Sequence, residues 1–282
     1  MDTLHIFQND TLDLCGKDFY FSHRIITEPF DMYRTHAHNH YEIYFLIHGK
    51  RDYFIGNRII HVKAGDIVFV PAHTIHKTTS VSPTGHERLL INFTENFFDS
   101  TIKSAVLRLF QDYCLTVPEN VKENINQIFS QISAEYNNCA EYSPLMLKML
   151  LTTLFVRLLR IDPPILRSKE NENPAEKQIK KVLDMINNDL SADMTVDYAA
   201  QTAGLSKSHF EKTFKQLTGF TFIDYLNTTR LLRAQKLLTK TSRSITDIAF
   251  ECGYNSSNYF TTVFRKYFGT TPLQFRKKGE LP

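Results

Sequence analysis

Two sets of residues carry chemistry. In the first hundred positions, histidine and carboxylate recur at short intervals. His36-Ala37-His38 is followed after three residues by Glu42 and after six more by Gly49; Gly65 is followed after five residues by Pro71, and then by His76. Imidazoles and a carboxylate suit Fe, Mn, Zn or Ni, and equally a polar ligand held by hydrogen bonds. Period-two spacing puts His36, His38 and His40 on one face of an extended strand, while His61, His73 and His86 add further candidates. In the last hundred positions, one polar helical face reads Lys207, Ser208, His209, Glu211, Lys212 and Lys215. A second reads Ser257, Asn258, Thr261, Thr262 and Arg265. Lys can reach a guanine O6/N7 edge or a phosphate, Glu can accept from cytosine N4, and Asn can read adenine. Both faces have the chemistry of a major-groove surface.

The elements that present those faces nearly repeat one another. Ala200 and Gly204 return 49 positions later as Ala249 and Gly253, and Phe210, Phe214 and Gly219 return 50 later as Phe260, Phe264 and Gly269. The second turn therefore holds one extra residue. In each copy a short helix sets a small Ala against the next helix, Gly permits a sharp turn, and Phe at i and i+4 faces inward. Ser206, and Asn255 or Ser256, are the expected caps of the second helices. Phe222 to Leu238 keeps helical spacing between the copies. It makes a connector roughly 25 Å long, which would let the two helices enter successive major grooves about 34 Å apart.

This stretch resembles the DNA-binding domain of the AraC/XylS family of bacterial transcription regulators. The match runs through Ala203-Gly204-Leu205-Ser206, Gly219, Arg230-Leu231, Ala234, Ile248-Ala249, Gly253-Tyr254, Gly269 and Thr271-Pro272. The resemblance implies a one-component transcriptional activator on double-stranded DNA that works with RNA polymerase. Thr262 departs from the family pattern, which commonly has a cation there.

From Phe21 to Phe93, short β-rich runs alternate with turns; Ile43–Ile47, Arg51–Ile55 and Ile67–Val70 are the clearest. Closely spaced strands favour a β-barrel or sandwich. The histidine pattern resembles the two motifs of the cupin superfamily, with His73 where a glycine is usual and Ser80 where an asparagine is usual. In cupin enzymes the positions matching His36, His38, Glu42 and His76 hold a metal. In AraC/XylS regulators the barrel generally serves as a ligand pocket without a catalytic metal. Resemblance thus assigns these four residues to an effector, a sugar among the candidates, with no metal and no cofactor.

Beyond the strands, Val121, Ile125, Ile128, Phe129, Ile132 and Tyr136 mark an amphipathic helix behind Pro118-Glu119. Ser143-Pro144 opens another, Leu145 to Ile161, apolar on most sides; it must pack on the barrel or on a second subunit, with Leu150 and Leu154 as candidate partner contacts. The family resemblance favours a homodimer. Lys148, Arg157 and Arg160 interrupt this segment, so it reads as no membrane span, and the first five residues do not begin a secretory signal. Four cysteines without CxxC or disulfide-dense spacing read as thiols of a reducing cytoplasm.

Charge divides with position. Residues 175–282 hold 16 Lys and Arg against 10 Asp and Glu, and residues 1–174 hold 17 against 20. Only the C-terminal part suits phosphate contact. The expected architecture is a two-domain α+β chain: residues 1–161, a cupin-like β-barrel that binds an effector and carries dimerisation helices; a linker, 162–174; and residues 175–282, an all-α DNA-binding domain with two helix-turn-helix motifs. The expected function is regulation rather than catalysis. The alternative is a metal-dependent cupin enzyme with an appended DNA-binding domain.

Overall fold

The computed structural model describes residues 18–32, 36–81, 84–94, 97–98, 100–161, 173–191 and 194–279. Residues 1–20 read from sequence as a mixed arm without clear periodicity; residues 1–17 of it, and linker residues 162–172, lie outside the described residues. The chain divides into two compact units, one made mainly of Ala37–Glu170 and the other mainly of Asn171–Pro282.

Among the described residues the first unit carries strands β1 (Phe19–Ile26), β2 (Tyr41–His48), β3 (Lys50–Ile55), β4 (Arg58–Lys63), β5 (Asp66–Val70), β6 (His76–Ser80), β7 (His86–Phe93) and β8 (Cys114–Thr116). They form antiparallel sheets in the orders β1-β7-β2-β5-β8 and β4-β3-β6. Alternation along β2 shows why the larger sheet is buried on both sides. Ile43 and Phe45 join an apolar layer with Phe69, Ile91 and Phe93, whereas Tyr44 and Leu46, with Val68 and Val70 of neighbouring β5, join a second cluster with Tyr53, Ile55, Ile60 and Val62 of the facing sheet. Gly49, at φ 98°, turns β2 into β3 where an added Cβ would fall 2.8 Å from the Gly85 carbonyl oxygen.

Helices α1 (Ser100–Leu109), α2 (Glu119–Asn138) and α3 (Ser143–Leu159) cover the first of these layers. Ile125, Ile128, Phe129 and Ile132 of α2, and Leu147, Leu151, Leu154, Phe155 and Leu158 of α3, pack into it. The Phe129 ring stacks on Phe45 at 4.8 Å. The structure corrects one sequence expectation here: Leu154 is fully buried, and Leu150 packs against the same core. The solvent side of α3 instead exposes Leu145, Met146 and Met149, beside Tyr142. Cys139, the C-cap of α2, is disulfide-bonded, against the reading of four thiols; Cys114 and Cys252 are buried thiols.

The second unit is helical: α4 (Pro174–Asn188), α5 (Val196–Ala203), α6 (Lys207–Thr218), α7 (Phe222–Lys240), α8 (Ile245–Glu251), α9 (Ser257–Phe268) and α10 (Pro272–Gly279). Asn173 opens α4 with a complete capping box: its side chain accepts from the Glu176 N–H, and Glu176 accepts from the Asn173 N–H. Ile179, Val182, Leu183 and Ile186 of α4 are buried. Phe210 and Phe214 of α6 meet Phe222 and Tyr225 at the start of α7, with ring centres 5.6 to 5.8 Å apart. The far end of α7 supplies Leu231, Ala234, Leu237 and Leu238 to a second core with Ile248, Ala249, Phe260 and Phe264. One helix therefore carries both halves.

Candidate DNA interface and effector site

The two turns are built alike. Gly204 and Gly253 take φ 69° and 81°. In the first turn the Leu205 N–H donates to the Ala200 carbonyl at 3.0 Å; in the second, Tyr254 donates to Ala249 at the same distance. These bonds satisfy carbonyls that a helix end leaves open. Asn255 is the extra residue, lying between that shared bond and Ser256, the N-cap of α9. Ser256 accepts from the Tyr259 N–H, but Ser206 makes no side-chain cap bond, so the expected first cap is absent. Gly219 and Gly269 close both helices in left-handed conformations.

Helix α6 presents Lys207, Ser208, His209, Glu211, Lys212 and Lys215 to solvent. Lys207 Nζ is engaged by Asp197 Oδ2 at 3.1 Å, which leaves Lys212 and Lys215 as the cations in the middle of that face. On α9, Asn258, Thr262 and Arg265 are exposed, while Ser257 and Thr261 are half-buried. The Thr262 hydroxyl donates back to the Asn258 carbonyl at 3.0 Å. Exposed Tyr259 and Lys266 share this face and were not anticipated; their i, i+3, i+7 spacing with Thr262 was the available signal. Arg233 and Arg243 are both held by Glu251.

In the β unit, His38, Glu42 and His76 come together and are buried. His38 Nε2 lies 3.4 Å from Glu42 Oε2, the His38 ring stacks on His40 at 3.7 Å, and His76 meets it edge-on at 4.8 Å. Half-buried His36 completes the group: one ring nitrogen from each of His36, His38 and His76 lies within 4.8 Å of the others. His38 Nδ1 bonds the His40 carbonyl at 2.8 Å, and His76 Nδ1 bonds the Thr74 carbonyl at 3.0 Å. A carbonyl only accepts, so Nδ1 is a donor in each ring, and Nε2 is the ring atom turned towards the cluster. Exposed His73 adopts φ 60°, the left-handed geometry, and its N–H donates to the His38 carbonyl at 2.7 Å. His61 is elsewhere, paired with Asp52 at 2.7 Å.

The description "AraC-like ligand binding domain" matches residues 21–155, and "Helix-turn-helix domain" matches residues 199–278. The chain belongs to the AraC family. Among its relatives are the HTH-type transcriptional activator RhaR of Mannheimia succiniciproducens, 26% identical over 86% of this chain and 87% of that protein, and RhaS of Escherichia coli, 26% identical over the same shares. A DNA-binding transcriptional dual regulator from Escherichia coli K-12 is 28% identical over 40% of this chain and 96% of its own, with a TM-score of 0.34.

This AraC-family chain accordingly pairs a ligand-binding β unit with a helix-turn-helix unit that regulates transcription. Its sensor holds a further polar group that sequence reading missed: Tyr44, Arg51, Arg88 and Asn92. Each sits in a strand, and the period-two alternation of Glu42, Tyr44 and Leu46 against Ile43 and Phe45 could have found the first of them. Burial pushes the Tyr44 hydroxyl up to about 12 despite the opposing pull of Arg51 and Arg88, so it remains a donor. His86 lies beside Arg51 rather than with the other histidines.

Proposed function

We propose that the protein is an effector-controlled transcriptional activator that binds DNA through α6 and α9. The supporting observation is the pair of equivalent turns, each holding a Phe-anchored helix with a polar face outward. Lys212, Lys215 and Glu211 supply base and phosphate contacts in the first copy, with Ser208 and His209 nearby. In the second, Asn258, Ser257, Thr261, Thr262 and Arg265 do so. The nineteen residues of α7 span about 28 Å, a fit to two grooves about 34 Å apart once the width of the reading helices is added. A small molecule held near His36, His38, Glu42 and His76 controls the response, the chain acts as a homodimer in the cytoplasm, and RNA polymerase is the partner at the promoter.

The two reading helices contribute unequally. Lys212 is exposed with its ammonium available, whereas Thr262 already donates to its own helix. Lys212→Ala should weaken operator binding by about 1–3 kcal/mol, the scale of a base contact, and Thr262→Ala by less. Both variants should melt like the parent, since neither side chain is buried. Fluorescence anisotropy on an operator selected from random DNA measures this; equal losses from the two substitutions would refute the assignment.

A second reading has one observation in its favour, the convergence of His36, His38 and His76 with Glu42 beside them. Such a donor set would hold a divalent transition metal, as in a metal-dependent enzyme carrying a DNA-binding unit. Metal analysis after dialysis, with turnover assays on the loaded protein, separates the two readings.

A further inference from the structure

The interior of the β unit has two chemically different ends. Register sets Glu42 opposite Asn92, Tyr44 opposite Leu90 and Leu46 opposite Arg88 on the larger sheet, and Arg51 opposite Ser80 and Tyr53 opposite Thr78 on the smaller. At about 3.3 Å per residue, the Glu42 and Arg88 rows are about 13 Å apart. His38, His76 and Glu42 lie at one end and the two guanidiniums start from the other. The edge-on rings of Tyr44 and Tyr53, 5.2 Å apart, lie between.

Among the described residues, the guanidinium end has no counter-charge. Arg51 is 1% exposed; Nε donates to Thr78 Oγ1 at 3.1 Å, Nη1 donates to the Phe30 carbonyl, and Nη2 has no partner. The Arg88 guanidinium lies 5.6 Å from the centre of the Tyr44 ring, and its Nη1 has none. The nearby carboxylates are committed elsewhere: Glu42 to His38, Glu87 to His23 at 2.8 Å. Burial first, then Arg51 and Arg88, push His86 down to about 4, so it stays neutral. The hydroxyl of Tyr44 and Oδ1 of Asn92, on residues 2% and 6% exposed, likewise have no partner among the described residues. Buried cations and polar atoms left in this state are costly unless a ligand completes them.

We propose that the effector is a polyhydroxylated organic anion, a sugar acid or sugar phosphate. Its charged group sits between Arg51 and Arg88, and its hydroxyls meet Tyr44, Asn92 and the Glu42 end. An anion gains charge-assisted bonds from both guanidiniums; a hydroxyl donates to Asn92 Oδ1 and accepts a hydrogen bond from the Tyr44 O–H. This inference rests on the effector-binding reading and narrows it to a charge class.

Isothermal titration of the full-length protein tests it, using D-glucuronate, D-gluconate and glucose 6-phosphate against the neutral D-glucose and L-rhamnose. At least one anion should bind more tightly than its neutral counterpart. Carboxylate and phosphate arms then identify the charged group. Arg88→Gln should weaken that anion about ten- to a hundredfold, and Arg88→Lys should weaken it less. Tyr44→Phe, which removes one hydroxyl and leaves the ring, should weaken it about three- to tenfold and keeps the test open if Arg88→Gln fails to fold. Failure of all three anions to bind overturns the proposal, as does binding that Arg88→Gln and Tyr44→Phe leave unchanged. A neutral sugar that binds when the anions do not would leave the effector reading standing.

Discussion

Gly204→Ala and Gly253→Ala probe the same turn in two settings and should have different costs. Both glycines are left-handed, where an L-residue with a Cβ is strained by roughly 1–2 kcal/mol. Around Gly204 nothing lies within 4 Å of an added Cβ, so that strain is the whole cost. At Gly253 the new carbon would fall 2.0 Å from the Leu190 carbonyl oxygen and 2.7 Å from Arg230 Nη2. Arg230 Nε donates to that same carbonyl at 3.0 Å, so the methyl must displace a charge-assisted bond as well as backbone. Losing a hydrogen bond to a charged group costs about 1.5–3 kcal/mol, which brings Gly253→Ala to roughly 3–5 kcal/mol in all. For a unit of this size 1 kcal/mol moves the melting temperature by about 4–8 °C. Gly204→Ala should therefore lower it by roughly 5–10 °C, and Gly253→Ala by about 15 °C or more, or leave the unit unfolded. Far-UV circular dichroism of the 171–282 fragment reads this directly; the chain has no Trp to follow by fluorescence. Equal shifts, or a larger one at Gly204, would show that the Leu190–Arg230 contact does not bear on the second turn.

If the proposed homodimer forms through the exposed side of α3, around Leu145 and Met149, that face can be separated from the core of the same helix. Leu145→Glu with Met149→Glu should yield monomers in sedimentation at unchanged melting temperature, since both side chains are more than half exposed. Leu154→Glu should instead destabilise the β unit by at least the 2–5 kcal/mol typical of losing a buried Leu, about the outcome that circular dichroism would register as early melting. A doubly substituted chain that stays dimeric would refute that face. His86 predicts an acid response. Its folded value of about 4 lies below the ordinary 6.5, so the unfolded chain takes up a proton that the folded one refuses. That contribution is present above about 6.5 and lost as pH falls towards 4, by up to roughly 3 kcal/mol. His86→Asn should flatten the melting profile across this window, and a profile identical to the parent's would exclude His86 as the cause.

What could be read in advance differed between the units for a physical reason. In the helical unit, turn chemistry is local: Gly204 with Leu205, and Gly253 with Tyr254, announce their conformations within a few residues, and the repeated Phe pair fixes the inward face. Even the extra residue of the second turn could be counted. The Ser206 cap failed because residue type permits a cap bond without ensuring that the side chain turns back to make it. In the β unit the histidine spacing pointed at a cluster, and His38, Glu42 and His76 do converge. Arg51 and Arg88 escaped notice because their meeting depends on which strands face each other across two sheets, and β3 and β7 are far apart in sequence. Helix α3 misled for the opposite reason: a segment apolar nearly all round does not show which side the core takes, and Leu154 and Leu145 look alike until α2 and the sheet are placed.

The two reading helices also differ in where their cations fall along the helix, and this bears on how labour divides between them. A recognition helix usually meets base edges with its N-terminal residues, while cations further along reach phosphates. On α6, Lys207 at the start is engaged by Asp197, but Lys212 follows in the second turn, within reach of the groove floor. On α9 the first two turns offer Asn258, Tyr259 and Thr262, and the cations Arg265 and Lys266 wait in the last turn. Their position next to the αL cap at Gly269 favours the negative end of the helix dipole and the DNA backbone over the bases. On the proposed DNA-binding reading, the second copy would read shape and thymine methyls while anchoring to phosphate, and the first would carry the hydrogen-bonded base contact. Because α7 packs into both cores, a phosphate anchor on α9 would, on that reading, fix the register in which Lys212 meets a base.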